Sequence, residues 1–181
     1  ILTVALACAG VSHAAEPAAA LSWTGGEALM KWRPYQLRLV TNTVDGVTYE
    51  STGTDPLLHS PHFDLTNLSP DHVVVIRAKI ASGGRGELFH ARPGEEGRHP
   101  QSRARNFDWI GDREWHEYRV RPCWHDARCV RQLRLDMPAK AGVRVEISRI
   151  AVETDPISRQ PLVGTAHPSG GVAFTCGPVT E

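Results

Sequence analysis

Val73-Val74-Val75-Ile76-Arg77-Ala78-Lys79-Ile80 is the segment that decides the fold of this 181-residue chain. Its first four residues are all β-branched and apolar, which favours a β-strand that is buried on both faces. Polar and apolar residues then alternate up to Ile80, as in a strand with one face toward a core. We therefore expect residues 73–80 to form a central strand of a β-sheet.

A period of two residues recurs on both sides of this strand, with turn-forming residues roughly every 8–12 positions. Asp45-Gly46 is a typical hairpin turn. No segment keeps an apolar stripe of helical period for three turns. The predicted strands cover residues 36–40, 47–50, 62–65, 73–80, 87–91, 105–110, 115–121, 133–137 and 143–152.

About nine alternating strands cannot all bury their apolar faces in one flat sheet, whereas two packed antiparallel sheets can. We predict an all-β fold over residues 30–153, an antiparallel two-sheet β-sandwich or jelly roll. Alternation in residues 115–121 places Trp115 and Tyr118 on opposite faces, so at least one of these rings belongs to the core.

The start of the chain has the pattern of an export signal. Residues 1–11 are apolar, and Ser12-His13-Ala14 supplies a small residue on each side of His13, as a cleavage site requires. We expect a signal peptide at residues 1–14, a leader at residues 15–29 and a secreted or periplasmic mature protein. Lipidation at Cys8 and an uncleaved anchor are the alternatives.

Elsewhere the chain gives few signs of a partner. No later apolar run approaches the length that crosses a bilayer, so we expect no integral membrane span. The 20 Lys and Arg residues balance 20 Asp and Glu residues, which indicates no nucleic-acid partner. Residues 154–181 lose the strand pattern and predict a disordered linker or the start of a missing C-terminal domain, for which a catalytic domain is the candidate.

Cys123 and Cys129 bracket a five-residue loop. In an exported protein this spacing predicts a local disulfide that fixes a turn between two strands. The alternative is a zinc site that uses these two cysteines with His125 and His116, although the spacing matches no standard zinc pattern. Cys176 is then left without an assigned role.

Arginines are dense in one third of the chain. Solvated strand faces explain them most simply, and a patch for an acidic ligand, such as a uronate or a sulfated glycan, is the alternative. The residues are Arg98, Arg103, Arg105, Arg113, Arg119, Arg121, Arg128, Arg131 and Arg134.

The order of turns and strands resembles a known group of domains. The landmarks are Thr54-Asp55-Pro56, the strand at 73–80, Gly86-Glu87-Leu88-Phe89-His90, and the segments at 114–120, 132–136 and 142–150. Over about residues 30–153 they resemble the galactose-binding-like, carbohydrate-binding-module-type jelly rolls of secreted bacterial proteins. The resemblance implies a non-catalytic module that binds a polysaccharide, often with a structural calcium ion. These families share no invariant motif, so no calcium ligand or sugar-binding residue is carried over.

Sugar recognition uses aromatic faces for stacking and planar polar side chains for hydroxyl groups. Trp124, His125 and Asp126 offer that mixture at one loop tip, and Trp109 offers a ring beside another turn. We take these four residues as the candidate ligand-binding set. Packing of both tryptophans in the core is the alternative.

Two other functions stay open. A small jelly-roll polysaccharide lyase or hydrolase acting on a polyanionic glycan would use Arg, His and Tyr on one sheet face, and Arg77, His90, His116 and Tyr118 are of the right types. A structural or protein-interaction module would need no small ligand.

Overall fold

The strand predicted at residues 73–80 is confirmed as a long central strand. The structure is a computed structural model that describes residues 20–124 and 126–155. In chain order the elements are β1 (Leu21–Thr24), α1 (Gly25–Leu29), β2 (Arg33–Tyr35), β3 (Leu37–Thr43), β4 (Gly46–Ser51), β5 (Leu57–His59), β6 (His72–Ile80), β7 (Gly84–Ala91), a 3₁₀ turn (Gln101–Arg103), β8 (Ala104–Trp109), β9 (His116–Val120), β10 (Gln132–Asp136) and β11 (Arg144–Thr154).

These strands form two sheets in which all neighbouring pairs are antiparallel. The six-stranded sheet has the order β3-β4-β11-β6-β9, and β1 also pairs with β11. The five-stranded sheet has the order β2-β5-β10-β7-β8. Apolar side chains from both sheets meet in one core, as in Ile76, Ile150, Leu88 and Leu133, all at most 1% exposed. The predicted two-sheet sandwich is therefore confirmed.

Alternation along β9 is also confirmed. Tyr118 and Val120 are buried in the core, whereas Glu117 and Arg119 are exposed on the outside of the sheet. The Tyr118 ring packs at 4.7 Å between centroids against Trp109 of β8. This contact ties an edge strand of one sheet to an edge strand of the other.

The outer face at the centre of the six-stranded sheet is covered by charged side chains. Val73 and Val75 are fully buried although they point away from the core. Arg119 of β9 reaches Glu153 of β11 at 3.6 Å, so this ion pair spans β6 above the two valines. The same carboxylate also pairs with Arg149. The apolar start of β6 is therefore buried on both faces, as its sequence predicts.

Strand β11 contains a β-bulge that the alternating pattern of its sequence does not reveal. Val145 and Ile147 point inward before a register shift between Ile147 and Arg149, and Ile150 and Val152 point inward after it. Ser148 is the extra residue of this β-bulge. The bulge lets β11 pair with β4 along its first half and with β1 along its second half.

The structure has eleven strands, two more than predicted. Strands β2 and β5 escape prediction because each has three residues, too few to show a period. Residues 62–65 form no strand, and only Leu65 makes an isolated bridge with Val130. β1 and α1 extend the sandwich before residue 30. The predicted signal peptide, residues 15–19 of the leader, Cys176 and nearly all of the tail lie outside the described residues.

Within the described ranges, no helix has the length and apolar character needed to cross a bilayer.

Replacing Val74 by Ala tests the two-sheet core. Val74 is fully buried against the core, and removing two methyl groups is expected to lower the free energy of unfolding by about 2–3 kcal/mol in urea denaturation. Val44 is 89% exposed at the turn between β3 and β4, so Val44→Ala is the matched control with an expected change below about 0.5 kcal/mol. Equal losses from both variants would contradict this packing.

Candidate functional site

The outer surface of the five-stranded sheet, here called the five-stranded face, collects polar and aromatic side chains. The neighbours of these residues along each strand, such as Leu58, Leu88 and Leu133, point into the core. Strand pairing aligns the outward residues into cross-strand rows. The face consists of Arg33, Tyr35, Leu57, His59, Arg85, Glu87, Phe89, Asn106, Gln132, Arg134 and Asp136.

A polar loop, residues 92–103, covers the middle of this face. The sequence offers no apolar anchor there, and the structure uses a histidine instead. His99 is 4% exposed and stacks on the His59 ring at 4.9 Å with an interplanar angle of 12°. Its ring also meets the edge of Phe89 at 6.4 Å. The backbone of His99 is left-handed, with φ of 41°, a conformation that is uncommon outside glycine.

Hydrogen bonds hold the rest of the loop to the sheet. The Gly97 amide donates to the Gln132 side-chain oxygen at 3.1 Å, and the Gln101 amide group donates to Glu87 at 3.1 Å. The five-stranded face is therefore divided by the loop rather than open along its whole length.

An ion pair lies beside the loop. The Arg134 guanidinium donates two hydrogen bonds of 2.7 Å to Asp136 and stacks 4.8 Å above the Phe89 ring. Burial raises the pKa of the Asp136 carboxyl, and the bidentate contact with Arg134 opposes that rise. Such a planar, two-bonded pair is rigid, so it fixes this part of the face.

An open groove of about 470 Å³ remains at the β2 edge of the face. Tyr35 is 54% exposed there, so its ring is available for stacking. Arg33, Gln132 and His59 supply planar hydrogen-bonding groups to the lining of the same groove. His62 and Glu96 also line the groove. This is the combination of an aromatic face and planar polar groups that saccharide binding requires.

Two histidines at this face, His59 and His99, have lowered pKa values and are uncharged at neutral pH. Burial, the neighbouring His59 and Arg134 lower the pKa of His99 to about 4. Burial, with help from Arg134 and Arg33, also lowers the pKa of His59. Neutral imidazoles both donate and accept hydrogen bonds, which suits them to hydroxyl groups.

Neither tryptophan of the predicted ligand-binding set presents a face to solvent. Trp124 is fully buried, edge-on to His72 and His90 at 6.2 and 6.0 Å. Trp109 is 3% exposed, and its indole nitrogen donates to the Asp136 carbonyl at 3.1 Å. Both rings therefore pack in the core, and their predicted role in stacking on a ligand does not fit this burial.

The other predicted residues of the 123–129 loop make local contacts. Asp126 is exposed and accepts a 2.6 Å hydrogen bond from Arg92, which holds the pKa of its carboxyl below the usual range. His125 lies outside the described residues. No disulfide joins Cys123 and Cys129. The sulfur of Cys123 contacts Arg105, whereas the Cys129 thiol lies 3.6 Å from Asp64, so the two sulfurs have different neighbours.

The four residues considered for a lyase do not form one site, although the His116 and Tyr118 rings lie 6.1 Å apart between centroids. Arg77 lies on the outside of the six-stranded sheet, whereas His90 and Tyr118 are in the interior. His116 instead contacts Asp112 at 2.9 Å.

The arginines that are dense in one third of the sequence are also dispersed in the structure. Arg131 and Arg134 belong to the side of the five-stranded sheet, and Arg119 and Arg121 to the other side. These four are ion-paired.

Residues 20–124 and 126–155 contain no group of three or more His, Cys, Asp or Glu side chains arranged to hold a metal ion. The acidic side chains that calcium prefers are not gathered in that part of the chain.

The groove was not found from the sequence because its residues are far apart along the chain. Arg33 and Tyr35 belong to a three-residue strand, and Gln132 follows almost 100 positions later. One signal was present: Arg33 and Tyr35 are two positions apart, so a strand would place both side chains on one face. That pattern is too short to distinguish a strand from a loop.

Comparisons with known proteins agree with the fold. No family model and no curated protein matches the chain. Among solved structures, the agarase AgWH50C has a TM-score of 0.50 at 6% identity, covering 70% of this chain and 23% of its own. PfGH50B has a TM-score of 0.51 at 5% identity, covering 69% and 22%. The C-terminal CBM6 of LamC from Zobellia galactanivorans has a TM-score of 0.49 at 13% identity, covering 74% and 98%.

The chain thus spans less than a quarter of the agarase and of PfGH50B. Likeness at these identities is a likeness of fold. The fold is the antiparallel two-sheet β-sandwich that the sequence predicts.

Replacing His99 by Phe tests the packing of the loop. The imidazole pKa is near 6.5 in an unfolded chain and about 4 in the folded one, so only the unfolded chain gains this proton between those values. The wild type therefore loses stability as the pH falls from about 6.5 to about 4. We expect His99→Phe, which keeps a ring on His59, to lose about 1–2 kcal/mol less over this interval in urea titrations.

His62→Phe is the control, because His62 is exposed and should leave the pH dependence of the wild type in place. Parallel stability curves for His99→Phe and the wild type would show that His99 is solvated.

Proposed function

We propose that this chain is an exported, non-catalytic β-sandwich module that binds a carbohydrate on its five-stranded face. The observation that carries the proposal is the groove at the β2 edge, where the exposed Tyr35 ring stands beside Arg33, Gln132 and the neutral His59. A pyranose ring offers an apolar C–H face to the tyrosine and hydroxyl groups to its neighbours. The groove has the volume of a typical small-ligand site.

Rigidity of the groove supports the same role. His59 is fixed by its stack with His99, and Gln132 is fixed by hydrogen bonds to the Gly97 amide and the Ser60 carbonyl. Groups that are already ordered lose little conformational entropy when a ligand binds. Arg33 is exposed and is free to adjust its side chain to the ligand.

The structures with this fold add support of a weaker kind. An agarase and PfGH50B contain a similar sandwich as a minor part of longer chains. By analogy, this module would hold a polysaccharide near a catalytic domain.

A second candidate function is a polysaccharide lyase or hydrolase that uses the same groove. Arg33, Tyr35, His59 and His62 line it together, and they are the residue types that jelly-roll lyases place on one sheet face. In that case Tyr35 acts through its hydroxyl group, whereas a binding module needs only its ring.

Two substitutions of Tyr35 separate these functions. In affinity electrophoresis through gels that contain agarose or mixed-linked β-glucan, we expect retardation on at least one polysaccharide. We expect Tyr35→Ala to weaken that binding about ten-fold or more, because the stacking surface is lost. Tyr35→Phe should retain most of it.

Leu39→Ala, at an exposed position of the other sheet, is the control and should bind as the wild type does. Absence of retardation on every polysaccharide would overturn carbohydrate binding. Shortening of a polysaccharide by the wild type, lost in Tyr35→Phe, would favour the lyase or hydrolase.

Export is supported by residues 1–14 alone. We expect mass spectrometry of the mature protein, expressed from its complete gene in a secreting host, to give a chain that begins at Ala15. Ala14→Leu should block this cleavage, because a large side chain does not fit the −1 position. A mature chain that begins at a lipid-bearing Cys8, or one that retains residues 1–14, would contradict the predicted cleavage.

A further inference from the structure

The outer surface of the six-stranded sheet carries two grooves that the proposed carbohydrate site does not use. One has a volume of about 610 Å³ and is lined by Lys79, Arg113, Arg144 and Glu146. The other has a volume of about 520 Å³ and is lined by Arg77, Trp115 and Arg149, again with Glu146. Because Glu146 lines both, the grooves adjoin. We call the combined surface the six-stranded face.

Cations outnumber carboxylates on this face. The two grooves are lined by five guanidinium or ammonium groups and by two carboxylates, those of Asp45 and Glu146. At the rim, one carboxylate, Glu50, serves both Arg38 at 2.8 Å and Arg144 at 3.1 Å. These two guanidinium groups lower the pKa of the Glu50 carboxyl. The surface therefore has an excess of positive charge although the whole chain has none.

Two of the cations have no carboxylate partner among the described residues. Arg77 lies opposite Glu117 in the strand register, but the Glu117 carboxylate bonds to Arg119 at 2.8 Å. Arg113 is exposed and holds a left-handed backbone, with φ of 68°, fixed by the hydrogen bond from its amide to the Ile80 carbonyl. Strained backbone that persists is a sign of a functional constraint.

Trp115 lies next to two of these cations. The Arg77 guanidinium carbon and the Lys79 ammonium nitrogen each lie 5.0 Å from the centre of its ring. The half-buried ring thus holds two cations in place by cation–π attraction. It also offers an apolar edge next to them, so charge and an apolar contact surface occur together.

We propose that the six-stranded face is a second binding site, and that its ligand is a polyanionic glycan, a polysaccharide that carries carboxylate or sulfate groups. Arg77 and Arg113 supply unpaired cations for the anionic groups, and Trp115 contacts the sugar rings between them. Charge complementarity identifies an anion, and the tryptophan favours a glycan over a simple salt ion. This site lies on the opposite side of the sandwich from Tyr35, so it does not depend on the proposed carbohydrate groove.

Affinity electrophoresis at low ionic strength with alginate and with dextran sulfate tests the site. We expect both polymers to retard the wild type, with retardation decreasing as salt is added. Arg77→Ala/Arg113→Ala should weaken binding to both about ten-fold, and Trp115→Ala should weaken it as well. Tyr35→Ala should leave binding to dextran sulfate unchanged.

Lys31→Ala/Arg128→Ala is the matched control, because it removes the same charge from exposed positions that line neither groove. Thermal unfolding checks that each variant is folded. An equal loss in the control would overturn the site in favour of net charge alone. Loss of dextran sulfate binding in Tyr35→Ala, no binding by the wild type, or equal binding of single-stranded DNA would also overturn it. Binding of neutral polysaccharides is measured separately, so failure here leaves the Tyr35 groove untouched.

Discussion

The pairing of β6 with β11 is the constraint on which the rest of the structure depends. Both strands are buried on their inner face by the second sheet, and near Val75 their outer face is buried as well. A strand buried on both sides needs a cover on the outside, and the ion pair from Arg119 to Glu153 supplies one that stays in contact with water. Some charges on the outer surface of the six-stranded sheet are therefore needed to cover β6. Arg77 and Arg113 have no part in that cover, and they are the cations that we assign to a ligand.

On the five-stranded face, polar groups rather than apolar ones hold the loop at residues 92–103 against the sheet. A loop without leucine, valine or isoleucine rests on the five-stranded sheet through a histidine stack and a few amide hydrogen bonds. Burying imidazoles keeps them neutral near physiological pH, at the expense of stability in acid. Among the described residues, three that are not glycine have a left-handed backbone, Gln36, His99 and Arg113, and all lie beside one of the two proposed surfaces. Unfavourable backbone conformations cluster in this way where a surface is shaped for binding.

Much of the fold was predictable from the sequence, and little of the site was. Long strands show their period, so residues 73–80 and the alternation around Tyr118 gave the correct sandwich and the correct inward faces. Aromatic residues near turns were ambiguous, because Trp109 and Trp124 fill the core while Tyr35, in a three-residue strand, is exposed. Which ring faces water depends on how two sheets close over each other, a long-range property that local pattern does not contain. The two cysteines were ambiguous for the same reason, because loop spacing alone does not fix where each sulfur points.

The bulge at Ser148 has a consequence for how this protein tolerates change. One extra residue shifts the in–out alternation of the second half of β11 by one position. Ile150 and Val152, rather than Arg149 and Ala151, therefore face the core. A regular strand of the same length, with Ser148 retained and no bulge, would turn Arg149 and Ala151 inward and move Ile150 and Val152 out of the core. The regular strand would therefore be the less stable one. The bulge thus fixes the phase of β11, and with it which residues in the second half of the strand belong to the core.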